Sequence, residues 1–199
     1  AESLSSSEAG SSFSLVIDEE SSSEVQLKVA GRHMVNNALL AAGAGWALGL
    51  SAAEISRGLQ GAQLTGGRLR RFEREGISIF DDTYNANPDS VRAAIGVVAD
   101  LPILNGSSRT VVLGMMGELG RFSEEMHLQI GEHAARNQLQ VISVGIEAAR
   151  IAEGAKRAGG SVVEHFDRYE DAAKWLKGTL RAGDTVLFKG SRKAAVERV

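Results

Sequence analysis

Cysteine is absent from this 199-residue chain, and with it disulfides, thiolate-bound zinc and thiol catalysis. That absence fits a reducing, cytoplasmic setting. An excess of basic charge is also missing. The 22 Lys plus Arg against 25 Asp plus Glu leave a formal charge of −3, which argues against a surface built to neutralise nucleic-acid phosphates. No glycine precedes any lysine, so the Gly-x-x-x-x-Gly-Lys-Ser/Thr phosphate cradle is not here. Neither a Gly-x-Gly-x-x-Gly dinucleotide turn nor a Gly-x-Ser-x-Gly nucleophile elbow occurs. The uncharged stretch from Met34 to Ala53 is about as long as a membrane span. It carries Asn36, Asn37, several glycines and many alanines, and reads as a buried helix, so no membrane partner is expected. The opening Ala1-Glu2-Ser3 has no basic region leading into an apolar run, so a signal peptide is not expected in it.

What is present is an ordinary globular balance, 43% hydrophobic and 24% charged, in a chain long enough for one domain and part of a second. Between and after two serine clusters, Ser5 to Ser7 and Ser21 to Ser23, lie two β-like runs, Ser12 to Ile17 and Val25 to Val29. Two strands alone cannot close a core, so this segment is expected to be the tail of something larger. A helix follows from about Arg32 to Leu50. A second opens at Ser51-Ala52-Ala53-Glu54, which has the Ser-x-x-Glu form of a capping box. Glycine-bearing residues 61–67 read as a linker, with a domain boundary near Thr65. Beyond it, strands at 69–73, 77–80, 110–113, 141–144, 161–164 and 185–188 alternate with helices at 89–99, 123–137, 147–158 and 169–180. That alternation predicts an α/β fold, a doubly wound, mostly parallel sheet with an antiparallel hairpin at its edge.

Ligands of such sheets gather at the carboxyl ends of the strands, which here carry the chemically interesting groups. Asp81-Asp82-Thr83-Tyr84-Asn85-Ala86-Asn87-Pro88 puts two carboxylates at a strand end, where they need a donor or a metal; the same residues also suit a turn in which Asn87 caps the next helix. Lys189-Gly190-Ser191-Arg192 is either an anion site or a solvated loop. Arg68 beside Gly66-Gly67 is either a phosphate contact or a surface ion pair. The histidines have no metal-ligand spacing, and His127 and His133 read as solvated helix residues.

Gly31-Arg32-His33-Met34-Val35-Asn36-Asn37-Ala38-Leu39, Asp81 to Ser90, Val112 to Gly120 with His127 downstream, and Lys189 to Arg192 together resemble the Mur ligases in order and spacing. These are the ATP-dependent enzymes that extend the peptide stem of bacterial cell-wall precursors. The resemblance runs from about residue 12 to the end. The Tyr-Asn-Ala-Asn-Pro run at 84–88 is similar to that of the branch that adds D-alanyl-D-alanine. It implies a reaction in which ATP phosphorylates the carboxylate of a UDP-N-acetylmuramoyl-tripeptide and the incoming amine attacks the acyl phosphate. Residues 1–65 would be the C-terminal remnant of the central ATPase domain, two strands and two helices, and 66–199 the Rossmann-like C-terminal domain. The P-loop and Mg²⁺ ligands would lie upstream, so the chain alone is expected to be inactive, and the enzyme monomeric and cytoplasmic.

Carried over by residue, the resemblance implies that His33 and Asn37 line the adenine pocket, Arg68 reaches the phosphates and Asp82 holds the ribose. Tyr84, Asn85, Asn87, Lys189, Ser191 and Arg192 would wall the dipeptide site. Met34 and Met115 depart from the family pattern, which has Asn and Asp there, and a thioether replaces neither as a hydrogen-bond partner. Two alternatives stay open: a relative adding a single amino acid, including folylpolyglutamate-type ligases, and a free-standing, non-enzymatic α/β binding module.

Overall fold

The computed structural model describes residues 1–7, 10–17, 22–62, 66–103 and 106–199, which divide into two compact units, 1–64 and 65–199. The boundary expected at Thr65 lies outside the described residues.

The first unit begins with three antiparallel strands in the order β1 (Glu2–Ser7), β2 (Gly10–Val16) and β3 (Ser22–Leu27). Two strands were expected, and the serine-rich β1 is the addition. Its pairing rests on backbone partners such as Ser5 with Ser12 and Ser6 with Ser11. Its small polar side chains carry no alternation that periodicity could reveal. Alternation does operate in the next two strands: Phe13, Leu15 and Val25 point into a core shared with Val35, Ala38 and Ala42 of α1 (Arg32–Ala47) and Ile55 of α2 (Ala52–Gly61). The turn into α1 needs Gly31, whose φ of 108° lies in a region that side chains disfavour. The capping box forms as expected. The Ser51 hydroxyl accepts from Glu54 N–H at 3.3 Å, and the Glu54 carboxylate accepts from Ser51 N–H at 2.9 Å. Hydrogen bonds from Ser51 hold the Glu54 carboxyl below its ordinary value.

The second unit is the α/β domain. Its elements are β4 (Arg70–Arg74), β5 (Ile77–Asp82), α3 (Pro88–Ala99), β6 (Arg109–Leu113), α4 (Ser123–Arg136), β7 (Gln140–Val144), α5 (Ala149–Arg157), β8 (Val163–Phe166), α6 (Tyr169–Thr179) and β9 (Thr185–Lys189). The sheet runs β4-β5-β9-β6-β7-β8, and only the β4–β5 hairpin is antiparallel. The last strand is thus inserted near the middle, between β5 and β6. Val112, Ile142, Val144 and Val186 pack on one face with Ala172 and Leu176 of α6 and with Ala194 and Val196 of the C-terminal turns. The other face carries α3, α4 and α5.

Helices α4 and α5 approach so closely that each contributes a glycine at the crossing. A methyl group on Gly131 would drive into the Ile151 carbonyl, and one on Gly154 into the Leu128 carbonyl. Gly96 in α3, by contrast, faces open space. Gly131→Ala should therefore cost about 1–3 kcal/mol through overpacking. Gly96→Ala should leave stability unchanged or raise it by up to about 1 kcal/mol through helix propensity. Urea unfolding midpoints of the two variants check this contrast.

His133 sits on α4, where burial foremost, and then the charges of Arg92 and Arg136, hold its imidazole below the ordinary value of 6.5. A depressed imidazole makes the unfolded chain the better proton acceptor. Its contribution to stability is complete above about 6.5 and is lost as pH falls toward the folded value. His133→Gln should therefore reduce the drop in Tm between about pH 7.5 and about pH 5.5. An unchanged drop would show that other groups govern acid sensitivity.

Candidate functional site

Strands β5, β9 and β6 lie side by side, so the loops leaving their carboxyl ends meet. Asp82 and Lys189 are register partners at the ends of β5 and β9. The ammonium of Lys189 is only 2% exposed; it donates to Asp82 Oδ2 at 2.5 Å and to the Asn85 carbonyl at 3.0 Å. The second carboxylate oxygen, Oδ1, accepts from Leu69 N–H at 3.0 Å. Asp81 turns back on its own loop, accepting from Thr83 N–H at 3.2 Å and the Thr83 hydroxyl at 2.7 Å. The two strand-end carboxylates therefore both find donors, as their position required.

This pair changes the meaning of two expected site residues. Lys189 does not offer a free cation to an anion, and Asp82 does not offer a free carboxylate to a ribose; each compensates the other. The solvated-loop alternative for Lys189 fails as well, because the side chain is buried. Asn87 takes the helix-cap role: its side-chain oxygen accepts from Ser90 N–H at 2.8 Å, and its own N–H donates to the Ser90 hydroxyl at 3.1 Å. Pro88 then begins α3, where a missing N–H costs nothing.

Four other side chains remain accessible. The Tyr84 and Asn85 side chains are exposed. Arg68 lies over the Tyr84 ring, its guanidinium carbon 4.6 Å from the centroid. Gly67 permits this arrangement. Its φ is +72°, its carbonyl accepts from Tyr84 N–H at 2.9 Å, and a side chain there would crowd the Tyr84 backbone. Arg192 is 76% exposed and, among the described residues, makes only a 3.6 Å ion pair with Glu197.

The exit loop of β6 fastens onto that of β9. Gly114 N–H donates to the Lys189 carbonyl and Ser191 N–H to the Met115 carbonyl, both at 2.9 Å. Gly114 and Gly190 lie back to back; a methyl on either would strike Ala194 and Val196. Met115, at a position where the family pattern has Asp, packs against the apolar cluster under α6. The Ser191 hydroxyl, at 4% residue exposure, has no hydrogen-bond partner among the described residues.

His127 corrects an expectation. It is 1% exposed, not solvated. Its Nε2 accepts from Met116 N–H at 2.8 Å, and its Nδ1 lies 2.7 Å from the Ser123 carbonyl. The signal lay in the helix period, since His127, Ile130, Gly131 and Ala134 form one buried stripe. His33 and Asn37 stand four residues apart on α1 of the first unit, and so on one helical face; His33 is half-buried and Asn37 exposed. Among the described residues, no cluster of three or more His, Asp or Glu side chains is arranged to hold a metal ion. Among the same residues, no helix is long and apolar enough to cross a membrane.

A doubly wound α/β domain with polar loops converging beyond three strand ends is of the Rossmann-like class. The Mur ligase, glutamate ligase domain family matches residues 67–192, and the chain belongs to the Mur ligase family. The UDP-N-acetylmuramoyl-tripeptide–D-alanyl-D-alanine ligase of Escherichia coli is 36% identical over 180 residues, covering 88% of this chain and 38% of that protein. The ligase of the same name from Bacillus subtilis is 34% identical over 176 residues, covering 87% and 38%. Among solved structures, MurF from Acinetobacter baumannii superposes with a TM-score of 0.84 at 32% identity, covering 98% of this chain and 42% of that one. MurF ligase from Thermotoga maritima in complex with ADP gives 0.82 at 26% identity, covering 100% and 44%. The chain thus spans less than two-fifths of the length of these curated relatives.

The buried pair supplies a direct test. Lys189→Ala strands a carboxylate and Asp82→Ala strands an ammonium, so each single change should cost about 3 kcal/mol. The double variant should cost less than the sum by at least about 1 kcal/mol. Additive losses in urea unfolding would mean the two groups do not depend on each other.

Proposed function

We propose that this chain is the acceptor-receiving part of an ATP-dependent ligase that joins D-alanyl-D-alanine to a UDP-N-acetylmuramoyl-tripeptide. The setting is peptidoglycan precursor synthesis in the bacterial cytoplasm. The observation that carries the reading is the likeness, across nearly nine-tenths of the chain, to ligases named for that reaction. The Tyr84 to Pro88 run within the β5 exit loop favours a dipeptide acceptor over a single amino acid.

Each side chain then has a chemical task. The exposed guanidinium of Arg192 suits the dipeptide carboxylate, since its contact with Glu197 is a weak surface pair that a ligand displaces at little cost. The side-chain carbonyl of Asn85 and the hydroxyl of Tyr84 are acceptors for the dipeptide ammonium. The partnerless Ser191 hydroxyl is able to donate or accept. Lys189, Asp82 and Asn87 serve differently, holding the loops and α3 in place. ATP supplies the phosphoryl group that activates the tripeptide carboxylate. Arg68 fits a contact to its phosphates, because a guanidinium stacked on Tyr84 keeps its N–H edges available. The amide of Asn37 and the imidazole of His33 match the donor and acceptor edge of adenine. No residue of this chain is assigned to Mg²⁺.

Titration of the chain with D-alanyl-D-alanine, followed by NMR, tests the acceptor assignment. Shifts should cluster at Tyr84, Asn85, Ser191 and Arg192 with millimolar affinity, about −4 kcal/mol. They should weaken about ten-fold for the dipeptide amide or for Arg192→Ala, through loss of one charge-assisted contact. A silent dipeptide together with the same shifts from L-glutamate would hand the site to a single-amino-acid ligase.

The nucleotide contact needs a longer protein. In the Bacillus subtilis ligase with its matching region replaced by this chain, phosphate release should require ATP, UDP-tripeptide and dipeptide together. Arg68→Ala should then lower turnover roughly ten- to hundred-fold with Tm unchanged. Equal losses of rate and Tm would make Arg68 a structural residue.

A further inference from the structure

The ring of His127 makes two hydrogen bonds to backbone, and only one placement of its proton satisfies both. Met116 N–H can only donate, so Nε2, 2.8 Å away, must accept. The Ser123 carbonyl can only accept, so Nδ1, 2.7 Å away, must carry the proton. At 1% exposure, solvent offers neither nitrogen a substitute. The imidazole is therefore a neutral clamp in a single tautomer, closed between the first turn of α4 and residues 114–117.

What the clamp holds is the second half of the argument. Met116 follows Met115, whose carbonyl receives the Ser191 N–H, and Met115 follows Gly114, whose N–H is bonded to the Lys189 carbonyl. The position of the imidazole is thus passed through two residues of backbone to the β9 exit loop. That loop carries the buried hydroxyl of Ser191, which has no partner among the described residues, and the exposed guanidinium of Arg192. Glycines at 114, 117 and 190 bring no side chains to the two loops, where Met115 and Met116 supply apolar contacts and the hydrogen bonds named above join the backbones. Packing alone does not explain why a polar ring occupies this place on the buried stripe of α4, where Ile130 and Ala134 are apolar.

We infer that His127 is a positioning residue, which holds the β6 exit loop in the register that presents Ser191 and Arg192 to the acceptor. The identity of the acceptor rests on the functional reading above; the clamp itself does not.

Two substitutions separate positioning from mere filling of space. In His127→Gln the amide oxygen reaches the place of Nε2 and still accepts from Met116. In His127→Asn the shorter side chain keeps a donor for Ser123 but stops short of Met116. In the 199-residue chain, His127→Asn should speed amide exchange at Met116 and Ser191 by at least about ten-fold, as expected for loss of a buried hydrogen bond. It should also weaken D-alanyl-D-alanine binding about ten-fold, while His127→Gln stays within about three-fold of wild type on both measures. Exchange at Ile142, in the sheet centre, should be alike in all three proteins. Long-range nitrogen–proton spectra of the wild type should place the ring proton on Nδ1.

A proton on Nε2 would overturn the inference. So would equal loss of Met116 and Ser191 protection in both variants, in step with their stability. An open loop in His127→Asn with dipeptide affinity unchanged would overturn it too. Should His127→Asn fail to fold, the wild-type spectra and protection at Met116 in His127→Gln decide the matter. A wild-type chain that ignores the dipeptide defeats the functional reading, and the exchange rates then judge the clamp by the same criteria.

Discussion

An ammonium shut away from water at the end of a strand must have a carboxylate beside it, and Lys189 with Asp82 is that pair. Much of the second unit is arranged around this requirement. The pair forms only because β9 enters the sheet next to β5, which brings residues 107 positions apart into register. Lys189 also ties the Asn85 carbonyl, and Asp82 ties Leu69 N–H, so one ion pair anchors the start of the hairpin and the exit loops of both strands. The desolvation cost of such a pair is large, and replacing both members with apolar groups often stabilises a protein. Geometry at the strand ends is what the pair provides in return.

Neutralising these two charges sorts the polar groups around the strand ends into two populations. Asp81, Asp82, Asn87, Lys189 and His127 have their hydrogen-bonding capacity directed inward, at backbone or at each other. Arg68, Tyr84, Asn85 and Arg192 face outward, and the Ser191 hydroxyl is directed at neither. Binding groups can be accurate only if the loops that carry them are stiff, and the inward population supplies that stiffness. Met115 belongs with it. A thioether in place of a carboxylate gives up a strong hydrogen-bond partner, and here it is absorbed by the apolar cluster under α6.

Secondary structure was legible wherever apolar side chains repeated with a period. The central strands read as short apolar runs, and α3 to α6 as amphipathic stretches. The capping box at Ser51 and the cap and proline at Asn87 and Pro88 marked helix starts through local chemistry alone. β1 was not legible, because its serines carry no period and its existence rests on backbone pairing with β2. His127 was misjudged for a different reason. A histidine judged one residue at a time looks solvated, and only the stripe it shares with Ile130 and Ala134 shows which way it faces.

Residue order thus determined the class of fold, the hairpin, the helix caps and which loops carry polar groups, because each depends on interactions within about one helical turn or one strand of neighbours. It also contained the motifs that tie the chain to its family. Which of the polar groups are available was decided by tertiary structure alone. Lys189, the last residue of β9, and Arg192, just beyond it, stand three residues apart and look alike in sequence, yet one is buried against Asp82 and the other faces solvent. The difference arises from the insertion of β9 between β5 and β6, since charge pairing in a low-dielectric interior is set by distance through space and not by position along the chain.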